Sequence, residues 1–205
     1  YLDYVYFARL LEADKQYEEA VVQFNKALSM DKSHTEIYKD ISDVYEKKRD
    51  FPKAIEAYKN YLDEMKSSPD ISDLFLYGRL NYYAATDSAY QDKQPTYLAE
   101  ADTIFAQVAV KVPDNYLGNF WRARVNSLRD PETTQGLAKP YYEAALSILE
   151  QKPDATKSVL VECNSYLGYY YFVKEDYNQS KQYWNKILEI DPENETATKA
   201  LGGIK

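Results

Sequence analysis

Cysteine and histidine occur once each, as Cys163 and His34, and those two scarcities remove most catalytic and metal chemistry. A lone cysteine cannot close an internal disulfide, and it is compatible with either redox compartment. His34 falls in a predicted turn, Cys163 has no histidine near it in the chain's repeat pattern, and neither a glycine-rich phosphate loop nor a metal-ligand spacing occurs. Carboxylate pairs are present, but on charged helices such pairs are solvated surface. No enzyme activity, cofactor or metal is therefore expected. Apolar runs fall well short of the roughly 20 residues of a membrane span. No basic start followed by an apolar segment marks a leader, and the chain opens without Met inside a helical pattern, as a fragment trimmed of a leader or anchor would. Basic residues are also short, 25 against 33 acidic, for a net charge of −8. That balance opposes binding to nucleic acid or to an anionic membrane face.

Tyrosine, by contrast, is abundant at 22 residues, and its ring can fill an interhelical layer while the hydroxyl reaches water or a partner. The aromatics are spaced regularly. Between Leu167 and Pro192, Gly168 closes a Leu-Gly pair, Tyr171 follows three residues later and Tyr177 stands at a turn. Ser180, Trp184 and Ile187 then fall at i, i+4 and i+7, on one face of a helix. The first 34 residues repeat this spacing with Ala8, Tyr17, Ala20, Phe24 and Ala27, and the next 34 with Ser42, Tyr45, Phe51, Ala54, Tyr58 and Tyr61. Small residues at these positions let two helices approach closely, while the ring four residues on fills the space beside them.

This arrangement resembles the tetratricopeptide repeat (TPR), a helix–turn–helix unit of about 34 residues with the signature L-G-x2-Y, A-x3-F, P. The resemblance implies an all-α, right-handed solenoid of about five repeats plus a C-terminal helix, in one domain over residues 1–205. The expected units are 1–34, 35–68, 69–113, 114–153 and 154–192, with a terminal helix in 193–205. Two units depart from the template. In the third, Gly78 and Ala101 take the small positions, far more widely spaced than Ala8 and Ala20 or Ser42 and Ala54, so an insertion is expected near 84–97 with both helices lengthened. It reads as an extended connector or, less conservatively, as a lid or partner contact. In the fourth, Ala123, Ala138, Tyr142 and Ala145 hold the pattern, but Pro140 is tolerated only in a first helical turn, which moves the expected start to about Leu137. The last helix is expected over Glu195–Leu201, ended by Gly202 and Gly203. Tyr4, Val5, Tyr6, Phe7, Leu10 and Leu11 make the first helix apolar on several faces, as if an upstream repeat or a second copy packed there.

In the family, the first helices line a concave groove that receives a partner segment. The residues around each small position here form a ladder that turns aromatic and basic in its second half. Phe75, Arg79, Asn81, Tyr82, Phe120, Trp121, Arg124, Asn126, Tyr166 and Tyr169 are thus the candidate binding surface, with Arg79 and Arg124 expected in one shared groove. Aromatic and arginine side chains dominate binding hot spots, so the expected partner is a protein or peptide carrying acidic and aromatic residues. The same residues are open to two other readings, as interhelical packing and internal ion pairs such as Arg9 with Asp43, or as an aromatic and amide platform for a small molecule or glycan. A scaffold associating through its first helix is the third functional class. Val5, Arg9, Lys39 and Asp43 match poorly the Lys/Asn clamp by which some relatives hold chaperone tails, so that ligand is not expected.

Overall fold

The computed structural model describes all residues except Lys66, Pro153 and Lys205. Among the described residues there are eleven α-helices, one 3-10 segment and no strand. The helices are α1 (Leu2–Ala13), α2 (Tyr17–Met30), α3 (Glu36–Lys47), α4 (Phe51–Glu64), α5 (Ile71–Thr86), α6 (Gln94–Lys111), α7 (Leu117–Arg129), α8 (Lys139–Leu149), α9 (Lys157–Val173), α10 (Tyr177–Ile190) and α11 (Glu195–Gly203). Contacts divide the chain into two compact units, Tyr1–Ala101 and Asp102–Lys205. Helix pairs α1/α2 and α3/α4 pack in the first, and α7/α8 and α9/α10 in the second, where α11 lies on α10.

Each of the regular pairs closes at its small residues. Ala8, Ala20, Ser42, Ala54, Gly168 and Ser180 are all buried, and the two serines use their hydroxyls across the crossing. Ser42 Oγ donates to the Ala54 carbonyl and Ser180 Oγ to the Gly168 carbonyl, both at 2.8 Å. The same bond is thus made from the first helix in one repeat and from the second helix in the other. A Cβ on Gly168 would lie 2.7 Å from the Trp184 indole, so glycine is what lets that ring seat. The turns between paired helices are equally repetitive. Lys15, Arg49 and Glu175 adopt left-handed backbone, φ 62°, 60° and 61°. The next N–H, from Gln16, Asp50 and Asp176, reaches back to Leu11, Tyr45 and Tyr171 at 2.8–2.9 Å, satisfying a carbonyl of the ending helix. Asp50 and Asp176 then cap the following helix by accepting from Lys53 N and Gln179 N.

The connection between α5 and α6 is longer than those within the α1/α2 and α3/α4 pairs. α5 has 16 residues and α6 18, against 12 and 14 in the first pair, and the 3-10 segment Ser88–Lys93 joins them. It is fastened to the α3–α4 turn. Arg49 Nη2 donates to Asp87 at 2.7 Å, Tyr90 OH donates to the Arg49 carbonyl at 3.0 Å, and Tyr90 meets Phe51 edge-on. Such anchoring suits a brace better than a lid.

The fourth repeat carries an irregular loop over residues 130–138, and α8 begins at Lys139, two residues later than expected, with Pro140 in its first turn. Asp130 organises the loop. Its buried carboxylate accepts from the N–H groups of Gln135, Gly136 and Leu137 at 3.0, 2.7 and 3.4 Å. Gly136 has φ 73°, and a Cβ there would lie 2.4 Å from the Tyr170 ring. At the other end, α11 runs through both glycines to Gly203 rather than stopping at Leu201, and Ile204 then turns inward onto Trp184, Ile187 and Ala197. Leu201-Gly202 repeats Leu167-Gly168 one period on, so α11 stands in the register of another first helix. On α1, Val5 and Leu11 are buried while Tyr6, Phe7 and Leu10 are exposed.

Burial alone would raise the Asp130 carboxyl, but the N–H groups of Gln135, Gly136 and Leu137 overcome it and hold the group below its ordinary value of 3.8. The stabilisation is therefore complete above the unfolded value and is lost as pH falls through the lower folded one. Asp130→Ala is expected to cost about 3 kcal/mol at neutral pH, against about 1 kcal/mol for the exposed cap Asp176→Ala. In urea titrations the gap between wild type and Asp130→Ala should shrink below about pH 4; a gap that does not change with pH would contradict the role given to the carboxylate.

Candidate partner-binding faces

In the first unit most charged side chains of the first helices are engaged by their own chain. Arg9 Nη2 donates to both carboxylate oxygens of Asp40 at 3.0 and 3.3 Å, one turn earlier than the Asp43 pairing read from sequence. Lys47 donates to Glu12 at 2.6 Å and Arg79 to Glu46 at 3.3 Å, and the Arg79 guanidinium lies 5.4 Å from the Tyr83 ring centroid. Lys39 reaches the buried Asp73 at 2.9 Å, which also accepts from the hydroxyls of Tyr58 and Tyr61. Desolvation of Asp73 is outweighed by Lys39 and the Asp70 N–H, so its carboxyl is lowered. Asp43 differs. Desolvated, and facing Glu46, Asp40 and Glu12, its carboxyl is pushed above the ordinary range. Phe75 and Tyr82 are half-buried on α5.

The second unit concentrates its aromatics around Arg124. The guanidinium forks onto Glu162, Nε to Oε1 at 2.7 Å and Nη2 to Oε2 at 2.5 Å, and lies 4.6 Å from the Phe120 ring and 5.1 Å from Trp121. Tyr142 OH donates to the same carboxylate at 3.2 Å. A neighbouring network joins α6, α7 and α8 and was not legible from the repeat ladder. Arg122 donates to Asp102 and to Tyr141 OH, both at 3.0 Å, and Asn126 Nδ2 donates to Asp102 at 3.1 Å.

Four of the ten sequence candidates are packing residues rather than surface. Phe120, Trp121, Asn81 and Asn126 are 4%, 8%, 1% and 5% exposed. Trp121 stacks on Phe105 at 5.4 Å, and each asparagine turns its amide back onto its own helix, Nδ2 donating to the Tyr77 or Arg122 carbonyl. Tyr166 is half-buried against Tyr142 with its hydroxyl enclosed. Arg79 belongs to the first unit and Arg124 to the second, and each faces a carboxylate of its own unit. An acidic partner would have to displace Glu46 or Glu162. Tyr169 alone of the ten is fully presented, 43% exposed.

Tyr169 leads to a feature that the ladder missed. Between α9, α10 and α11 lies an apolar cavity of about 240 Å³, walled by Tyr169, Phe172 and Ile204 and floored by Trp184, with Lys199 and Gly203 at its rim. Phe172 stands four residues after Gly168, the place Tyr82 holds after Gly78, and that spacing is the signal that could have found it. Cys163 is buried nearby on α9, and its thiol is pushed up to about 12 by burial, which leaves no nucleophilic thiolate at neutral pH. No described helix is long and apolar enough to cross a membrane.

The Arg124–Glu162 fork is one-third exposed on both sides. A double-mutant cycle of Arg124→Ala and Glu162→Ala, measured by urea unfolding, should return a coupling of about 1 kcal/mol that weakens in added salt. Coupling indistinguishable from zero at low salt would mean that the fork contributes nothing to stability.

The family model described as tetratricopeptide repeat matches residues 4–34 and 166–194, the first and fifth repeats. No curated protein matches the sequence. Among solved structures, the C-terminal part of a TPR repeat-containing protein from Cytophaga hutchinsonii is 30% identical, over 98% of this chain and 72% of that one, with a TM-score of 0.83. YrrB, described as a TPR protein with an unusual peptide-binding site, is 19% identical over 96% of this chain and 89% of its own, TM-score 0.64. MamA from Desulfovibrio magneticus RS-1 is 11% identical over 94% and 95%, TM-score 0.65. The last two show the fold alone; the first, with the repeat matches, shows that this chain belongs to the tetratricopeptide-repeat family.

Proposed function

We propose that the chain is a non-catalytic adaptor that binds an extended or helical segment of a protein partner on the first-helix faces of its units. The family's fold is that of a protein–protein interaction scaffold, and the finer assignment rests chiefly on one observation. On α9 the first-helix face presents Tyr169 and Phe172, two large aromatic side chains 43% and 42% exposed, beside an apolar cavity. Exposed aromatics of this kind contribute most where a partner covers them. In the first unit α3 presents the exposed Asp43, whose acidic neighbours Glu12, Asp40 and Glu46 are engaged by Lys47, Arg9 and Arg79, so Asp43 is the position that favours a cationic residue of a partner. Phe75, Tyr82 and Tyr169 are the proposed contacts among the residues named from sequence, while Arg79 and Arg124 are held by Glu46 and Glu162. The glycan platform of Trp121, Tyr166, Tyr169, Asn81 and Asn126 loses support because Trp121 and both asparagines are buried and Tyr166 is half-buried, which leaves Tyr169 alone exposed among them.

Random peptides selected by display against the immobilised chain test this. Selected peptides should bind with micromolar dissociation constants, and Asp43→Lys or Tyr169→Ala, each as helical as wild type by circular dichroism, should weaken some of them by about fivefold or more. Selection that yields no binder, or binders indifferent to both substitutions, would contradict the assignment.

A further inference from the structure

We infer that the cavity between α9, α10 and α11 is an anchor pocket for one bulky apolar side chain, aromatic or leucine, of a partner peptide that carries an acidic residue beside it. The inference deepens the peptide-binding reading and rests on it.

Over Gly168 the Trp184 indole fills the space beside the first helix, and one period later Gly202 has nothing within 4 Å of the position where its Cβ would be. A Cβ at Gly203, which lines the cavity, would likewise have no atom within 4 Å. Ile204, directly after α11, packs with Trp184, Ile187 and Ala197. Tyr169 and Phe172 line the cavity together with the largely buried Trp184. The volume of about 240 Å³ suits a single large side chain and is below the roughly 300 Å³ at which drug-sized ligand sites begin.

Two observations define the rest of the occupant. First, the walls are side chains that offer almost no polar atom to the interior, so the inserted group is apolar. Second, the rim carries Lys199, whose partner Glu195 lies one helical turn away on the same exposed surface, 2.9 Å off. A solvated i,i+4 pair of this kind is easily exchanged, so an acidic residue next to the anchor could take Lys199. Tyr169, Phe172, Lys199 and Gly203 all stand on first-helix elements, so the pocket is continuous with the proposed binding face rather than separate from it.

The test uses the full chain and a library of random twelve-residue peptides. Wild-type selections should converge on Phe, Tyr, Trp or Leu followed within about two positions by Asp or Glu. The enriched peptides should shift the Trp184 indole N–H resonance, one of two indole signals in the chain. Gly203→Phe plugs the mouth at a position with open space and should weaken them about tenfold or more. Tyr169→Ser, which removes a wall instead, should weaken them as well, and Lys199→Glu should cost a smaller factor that falls with salt. Tight peptides that lack the apolar anchor, or that bind Gly203→Phe as well as wild type, overturn the pocket while leaving peptide binding intact. No selected peptide at all overturns both. A concentration-dependent Trp184 shift without peptide, abolished in Gly203→Phe together with a dimer seen by sedimentation, would assign the pocket to a second copy and overturn the inference.

Discussion

The close crossing of paired helices at their small residues is the constraint on which the rest depends. Ala8 and Ala20, Ser42 and Ala54, and Gly168 and Ser180 are all buried at their crossings, a Cβ on Gly168 would meet the Trp184 indole, and the rings four residues on, Phe24, Tyr58 and Trp184, are buried beside them. The hydroxyl-to-carbonyl bonds of Ser42 and Ser180 show one geometry reached by two sequence solutions. Once the crossing is set, the first-helix positions on either side of it are held in fixed places, and a ladder of side chains becomes a surface. Removing the clearance, as a Cβ on Gly168 would, displaces Trp184 and with it the floor of the apolar cavity.

Electrostatics then decide which of those positions remain available. Arg79, Arg124, Lys39 and Arg9 resemble ligand donors in sequence but face Glu46, Glu162, Asp73 and Asp40. Each is a charge-assisted contact between neighbouring helices, and together they hold one repeat against the next at modest energy, because most remain partly solvated. These four basic residues are thus engaged by the chain's own carboxylates. Among the first-helix positions, the exposed Asp43 in one unit and Tyr169 and Phe172 in the other are left outward.

Much of the fold was legible because the repeat period is a strong, redundant signal: a small residue, a turn and a second small residue twelve positions on. The long connector after α5 could be placed from the late arrival of Ala101, and the displaced start of α8 from Pro140 alone. The binding surface was less legible for a physical reason. A period of 3.6 residues assigns a side chain to a helix face but not to burial, since the second helix of the same repeat and the first helix of the next compete for that face. Phe120, Trp121 and the two asparagines lie where that competition buries them. Ion-pair partners such as Arg124 and Glu162 are 38 residues apart, and no local pattern links them. The cavity was only partly legible, because the place of Phe172 after Gly168 can be read locally but a lining drawn from α9, α10 and α11 cannot.

The most direct measurement is an amide and side-chain NMR shift map of the full chain with a selected peptide bound. The account predicts that the perturbed residues lie on the first helices, around Asp43, Tyr82, Tyr169 and Phe172. Perturbations confined to exposed second-helix residues such as Val22, Met30 and Val110 would contradict it.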